Sequence, residues 1–283
     1  MKKNYTLNPK PYNLVIGWLY PELMSTYGDK GNITVLQKRC EWRGIKAEIL
    51  NIDQTTTNGD LRTVNLLFGG GAQDREQEIV MRNLQDKKEA IVELIEKDIP
   101  ALFVCGAPQL MGKFYEPAEG KRIQGLGIFD MESRHPGPNA PRLIGNVIAK
   151  ISEESIKYNV SSITYEKEEK ILNTEYLILN TIVVGFENHG GRTYLGKDAK
   201  PFAKVLKGYG NNGEDGTEGV VYKNAIGCYL HGPLLPKNPQ IADYLIAKAL
   251  EVKYKKEIIL EPLDDSIEEK AKSAIAERLG IAL

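Results

Sequence analysis

The stretch Ala101-Leu-Phe-Val-Cys-Gly-Ala-Pro-Gln-Leu-Met-Gly112 carries the decisive reading of this 283-residue chain. An apolar run enters Cys105 directly, Gly106 supplies the residue without a side chain that a sharp turn needs, and helix-competent residues follow. A strand-to-helix turn of this kind lifts a nucleophile out of the carboxyl edge of a sheet. The helix N-terminus beneath it predicts a lowered thiol pKa and free backbone N–H groups that can cradle an oxyanion. A thiolate is reachable near neutral pH, so cysteine suits the position. The same residues also fit a structural cysteine at a strand end, since free cysteine is among the most buried residue types.

Upstream of this stretch two periodicities alternate. Leu14–Leu19 is a short apolar run, and Gly31–Arg43 has helical spacing, with Ile33, Leu36 and Cys40 on one side and Gly44 as its stop. Ile45-Lys-Ala-Glu-Ile-Leu50 alternates apolar and polar, and Asn65-Leu-Leu-Phe68 runs into Gly69-Gly70-Gly71. Glu76–Lys97 carries Ile79, Val80, Leu84, Ala90, Ile91, Leu94 and Ile95, consistent with one or two amphipathic helices. Strands alternating with helices predict an α/β protein with a parallel sheet covered on both faces.

Downstream of residue 120 the texture changes to frequent Gly and Pro with short strand-like runs at Arg142–Ile151, Thr181–Phe186 and Gly219–Tyr222. These predict a more antiparallel second half, with a polar insert of extra strands at Ser152–Asn180. Asn238–Glu251 reads as a helix. Beyond the charged linker Lys253–Glu257, Ile267, Ala271, Ala274, Ile275 and Leu279 recur as on an amphipathic tail helix. The acidic residues Asp264, Asp265, Glu268 and Glu269 read as its solvated start. The expected organisation is one domain over 1–252, with the insert at 152–180, and a helical extension over 253–283.

In Ala225-Ile-Gly-Cys-Tyr-Leu-His-Gly-Pro233 a strand-like run delivers His231 to a Gly-Pro turn. A nucleophile and a histidine distant in sequence but close in space is the arrangement thiol catalysis requires. The chain has three histidines, His135, His189 and His231, and three cysteines, of which Cys40 and Cys228 are assigned to the core. Three cysteines without metal-ligand spacing make neither a disulfide framework nor a metal site, and they point to a reducing, cytoplasmic compartment. With 37 Lys plus Arg against 38 Asp plus Glu the net charge is −1, which gives no electrostatic reason to bind nucleic acid. No apolar run reaches the ~20 residues of a membrane helix. Gly69-Gly70-Gly71 lacks the rest of a phosphate-binding motif, so no cofactor is expected on this chain.

Three motifs in order, over about residues 12 to 250, carry a family resemblance. Cys105–Gly112 resembles the C-G-G-Y-Q-M-L-G nucleophile motif of class I glutamine amidotransferases of the cobyric acid synthase type. Gly185-Phe-Glu-Asn-His-Gly-Gly-Arg-Thr193 and Tyr229-Leu-His-Gly-Pro233 resemble that family's other two signatures. The run from Gly17 to Asn32, with Leu-Tyr-Pro-Glu-Leu-Met and Gly-Asp-Lys-Gly-Asn, and Gly208-Tyr-Gly-Asn-Asn-Gly213 are similar to the glutaminase subunits of bacterial lipid II isoglutaminyl synthases.

The resemblance implies a flavodoxin-like sheet flanked by helices, with inserted strands and the helical tail. It also implies hydrolysis of L-glutamine, with ammonia passing to a Mur-ligase-like partner that holds ATP and a metal ion and amidates D-glutamate in lipid II. By the same resemblance Cys105 is the nucleophile and His231 its base. Gly106 with Gly70 or Gly71 forms the oxyanion hole. Gln109, Arg142, Asn188, His189 and Arg192 contact substrate, Arg142 as the fork for its carboxylate. Two departures stand out: Phe103 and Ala107 replace glycines around the nucleophile, and Gly232-Pro233 follows His231 where many members carry the third triad residue, a glutamate. The resemblance to a two-subunit enzyme leaves the partner to supply that acid. A catalytically silent scaffold and an amidotransferase for a corrinoid acid are the alternatives.

Overall fold

The computed structural model describes residues 12–26, 28–151, 178 and 181–282. The insert expected at 152–180 therefore lies, apart from Ile178, outside the described residues. The first half runs β1 (Asn13–Leu19), α1 (Lys30–Glu41), β2 (Lys46–Ile52), α2 (Asn58–Leu61), β3 (Leu66–Gly69), α3 (Asp74–Leu84), α4 (Lys88–Glu96), β4 (Ala101–Val104) and α5 (Gly106–Met111). The second half adds β5 (Phe114–Glu116), β6 (Ile123–Gln124), β7 (Met131–Arg134), β8 (Leu143–Ile151), β9 (Ile182–His189), β10 (Arg192–Leu195), β11 (Ala203–Lys207), β12 (Thr217–Glu218), β13 (Val220–Tyr222) and β14 (Ala225–Cys228). Helices α6 (Pro239–Tyr254) and α7 (Ser266–Arg278) close the chain.

The central sheet has the order β13-β14-β4-β3-β1-β2, parallel except for β13 at one edge. This is the doubly wound flavodoxin order, in which ligands bind beyond the carboxyl ends of the strands. Every residue of β3 and β4 is buried, as expected of central parallel strands with helices on both faces. Helix α1 buries Ile33, Leu36 and Cys40 as its periodicity predicts, and Gly44 follows with φ +66°. Glu76–Lys97 resolves into α3 and α4 around a short turn, with Val80, Leu84, Ala90, Ile91, Leu94 and Ile95 buried. Ile79, read as part of that face, is exposed.

Two smaller sheets, β10-β7-β5-β6 and β12-β11-β8-β9, make the second half. All their pairings are antiparallel except β5 with β7. The strand expected to end at Phe186 continues to His189, because β9 pairs with β8 without a break from Lys150↔Ile182 to Leu143↔His189. That extension carries Asn188 and His189 to the same end as Arg142.

The tail helix differs from its sequence reading. Ile267 is 76% exposed and Ala271 and Ala274 also face outward. The buried stripe is Lys272 and Ala276 with Ile275 and Leu279 beside them, set against Ile148 and Val184 on the β8–β9 pair. The 3.6-residue period holds, but its phase is fixed by that sheet and by a lysine stem lying along it. Asp265 is also not a solvated charge. It accepts from Arg39 Nη1 at 2.6 Å, while Arg39 Nε and Nη2 reach Asp243 at 2.6 and 2.7 Å. Arg43 adds a second fork on Asp243 and donates to the Glu261 carbonyl at 2.7 Å. Arg39 of α1 and Arg43 just beyond its end thus tie α6 and the tail to one point.

The Arg39 side chain is only 2% exposed, so removing it leaves two carboxylates facing each other without their common cation. Arg39→Leu is expected to lower the unfolding free energy by about 3 kcal/mol, read as a lower urea midpoint with an unchanged slope.

Candidate active site

At the end of β4, Cys105 takes φ 58°, ψ −101°, a region that favours glycine. Strain of this kind costs on the order of 1–3 kcal/mol and persists only where the surroundings impose it. Here the Cys105 N–H donates to the Cys228 carbonyl at 2.8 Å, continuing the β4–β14 ladder one step past Val104↔Cys228. The glycine at 106 is needed for a different reason from the turn itself. Its φ is not positive, but a Cβ there would meet the Ala72 nitrogen at 2.9 Å. The strained residue is the cysteine, and the glycine allows the β3 loop to close against it.

Cys105 opens onto a cavity of about 400 Å³ whose wall also carries Gln109, Arg142, Asn188 and His189. Arg142 is held from one side: Nε donates to Asn188 Oδ1 and Nη2 to the Asn188 carbonyl, both at 2.8 Å. Its Nη1 lies against Gly190. Arg192, in contrast, is buried off the wall, donating to the carbonyls of Gly190 at 2.8 Å and Pro141 at 2.7 Å. It braces the segments that carry Arg142 and His189.

His231 is fully buried and is not part of the cavity wall. The loop after β14 brings it to the edge where Cys105 sits, and its backbone bridges Phe186 with two 3.0 Å bonds. The Phe186 ring stands edge-on to the imidazole, with centroids 6.1 Å apart. His189 does line the cavity, yet its nitrogens turn inward. Nδ1 lies 2.8 Å from the Gly191 carbonyl and Nε2 3.7 Å from Glu187 Oε2.

A buried polar chain runs behind this wall. Gln77 Nε2 donates to Gln109 Oε1 at 3.0 Å, and Gln109 Nε2 donates to the Tyr229 hydroxyl at 3.0 Å. That hydroxyl lies 2.7 Å from Thr193 Oγ1, which is 2.6 Å from Ser133 Oγ. The Tyr229 ring stacks on His189 with centroids 3.8 Å apart at 14°. Sequence reasoning assigned no role to Gln77, Thr193 or Tyr229, although the last two lie inside the quoted motifs.

Asp29 was missed in the same way, inside Gly-Asp-Lys-Gly-Asn. Buried under the β3 loop, it accepts the Gly71 N–H at 2.6 Å. Gly71, expected as an oxyanion donor, therefore has its N–H committed to a carboxylate, and its Cα packs against Cys105. The Ala72 nitrogen, beside Gly106 and at the cavity wall, is the neighbouring donor.

The electrostatics reverse one expectation. Burial pushes the Cys105 thiol up to about 12; the Asp29 charge adds to this, while Arg142 and the Gly106 N–H oppose it. The six-residue helix α5 does not offset that desolvation. Burial, then His189, Lys237 and Arg142, press His231 down to about 4. Burial raises Asp29 to about 7 and Glu218 to about 8. The resting pair is a thiol and a neutral imidazole. Among the described residues no group of His, Cys, Asp or Glu is placed to hold a metal ion.

A strained cysteine over a helix start at the carboxyl edge of a flavodoxin-order sheet fits the class I amidotransferase fold, and the chain belongs to the CobB/CobQ-like glutamine amidotransferase family, whose profile it matches over residues 15–239. It is 37% identical over 260 residues to the lipid II isoglutaminyl synthase (glutamine-hydrolyzing) subunit GatD of Streptococcus pneumoniae, covering 92% of this chain and 89% of that one. Identity to the Staphylococcus aureus GatD subunit is 36%, covering 94% and 96% of the two chains. A cobyric acid synthase of Desulforamulus reducens is 29% identical, but the match covers only 32% of it. Among solved structures, a glutamine amidotransferase superposes with a TM-score of 0.52 at 11% identity, covering 83% of this chain and 98% of the other. The acivicin-bound glutaminase domain of Trypanosoma brucei CTPS gives 0.50 at 14%, covering 88% and 96%. These two likenesses show the fold.

Burial, with the ionised Asp29 adding to it, holds the thiol protonated above pH 7, so Asp29→Asn is expected to move the alkaline midpoint of Cys105 alkylation by iodoacetamide to lower pH. The wild-type rate should still be rising beyond pH 9. A wild-type plateau near pH 7 would contradict the reading of a buried, protonated thiol.

Proposed function

We propose that this chain is the glutamine-hydrolysing subunit of a lipid II isoglutaminyl synthase. It would act in the cytoplasm with a Mur-ligase-like synthetase subunit that holds ATP and a metal ion and uses the ammonia to amidate D-glutamate. The observation that carries the reading is the single cavity joining Cys105 at the strained elbow to the Arg142 fork. The activity for which the two GatD relatives are named, matched over nearly their full length, supports the pathway. The corrinoid alternative is disfavoured, because about two thirds of the cobyric acid synthase has no counterpart in this chain. No helix among the described residues is long and apolar enough to cross a membrane.

In this reading Arg142 takes the α-carboxylate of L-glutamine through its fork, and Gln109 seats the chain of the substrate. Sγ of Cys105 attacks the side-chain amide carbon as the thiol proton moves to His231. The backbone N–H groups of Gly106 and Ala72 receive the developing oxyanion, in place of Gly71. The proton then passes from His231 to the departing nitrogen, ammonia leaves and a γ-glutamyl thioester remains. Water, deprotonated by His231, cleaves the thioester to glutamate and free thiol. A neutral imidazole is the form that can accept both protons.

His189 fits a wall role better than a base, because both its nitrogens turn away from the cavity. In this reading the partner subunit supplies the carboxylate that orients the imidazole.

Ammonia release from L-glutamine, with and without the synthetase subunit, tests the reading. Cys105→Ala is expected to abolish it and His231→Ala to reduce it by about 10²–10⁴. Undiminished release from Cys105→Ala would sink the mechanism. Absence of release from the wild-type complex would leave the scaffold alternative standing.

A further inference from the structure

The cavity wall contains a carboxylate that the mechanism above does not use. Asp74, the first residue of α3, borders the same cavity as Cys105 and Arg142. Its Oδ1 accepts from the hydroxyl of the buried Tyr115 at 2.9 Å, which ties an otherwise exposed side chain to the wall. No lysine, arginine or histidine of the described residues forms an ion pair with it, although Arg75 follows it and also borders the cavity. On the same cavity wall Arg142 is anchored through Nε and Nη2 on Asn188. The charges of Asp74 and Arg142 act with opposite sign on both Tyr115 and His135, which also line the cavity. The cavity is therefore dipolar, with a tethered anion and a tethered cation.

A zwitterionic α-amino acid is the ligand class that satisfies both charges at once, whereas a simple carboxylic acid amide satisfies only the arginine. We propose that Asp74 is the group that recognises the α-ammonium of the substrate, and that it makes the site selective for an α-amino acid amide. This deepens the amidotransferase reading and rests on it. Tyr115 acts as a positioning residue: a buried phenol holds one carboxylate oxygen and leaves the other for the ammonium. A carboxylate whose position is fixed loses less conformational freedom when the ligand arrives.

The test measures binding by calorimetry to the full chain carrying Cys105→Ala, which keeps ligand intact, alone and with the synthetase subunit. The two ligands are L-glutamine and glutaramate, the same molecule without its α-amino group. Asp74→Asn in that background is expected to weaken L-glutamine at least tenfold and to leave glutaramate within twofold, so that selectivity collapses. Equal weakening of both ligands would mark Asp74 as merely structural, and unchanged L-glutamine affinity would overturn the proposal outright. If the parent binds L-glutamine but selectivity survives the substitution, only this inference fails. If the parent binds no L-glutamine in either form, the amidotransferase reading falls with it.

Discussion

The hydrogen bond from the Cys105 N–H to the Cys228 carbonyl, at 2.8 Å, is the constraint on which the site depends. It extends the parallel ladder of β4 and β14 one residue beyond the strands. Cys105 must then turn with φ 58° to leave the sheet. That turn is costly for a residue with a Cβ, and it persists because β4 is wholly buried and cannot slide to relieve it. The same ladder sets the start of the Tyr229-Leu-His231 segment. One backbone bond thus places the thiol and orders the approach of the imidazole.

Around this point charge is managed by burial. Asp29 sits under the β3 loop with its carboxylate on the Gly71 N–H, fixing the loop against the nucleophile. Burial raises the pKa of both groups, and the Asp29 charge adds to the rise at the thiol. With His231 also pressed towards neutrality, the resting dyad carries no ion pair.

The Arg142 side of the cavity is built differently. Arg142 stands at the mouth of β8 and Asn188 and His189 at the end of β9, so one antiparallel pair supplies most of it. Arg192 fastens the two connecting segments by their carbonyls, and Tyr229 stacks on His189 from behind. On the outer face of the same pair lies the tail helix, and the tail is tied to α1 by the Arg39–Asp265 bond. The hairpin is therefore braced on both sides.

Local pattern determined a good part of this protein. The parallel first half, the helical character of the stretch before β4, the elbow at Cys105 and the delivery of His231 to the same edge all follow from short-range periodicity and turn chemistry. Such signals involve neighbours a few residues apart and survive without knowledge of the fold. Tertiary structure decided what depends on a partner from elsewhere in the chain. The phase of the tail helix was set by Ile148 and Val184, and Asp265 became an ion-pair partner because Arg39 lies beneath it. Arg192 became a brace, and Gly71 ceased to be a free donor, because of Pro141 and Asp29 respectively. The thiol pKa moved against expectation for the same reason. A helix terminus is visible in sequence, whereas the desolvation that overrides it is a property of everything packed around Cys105.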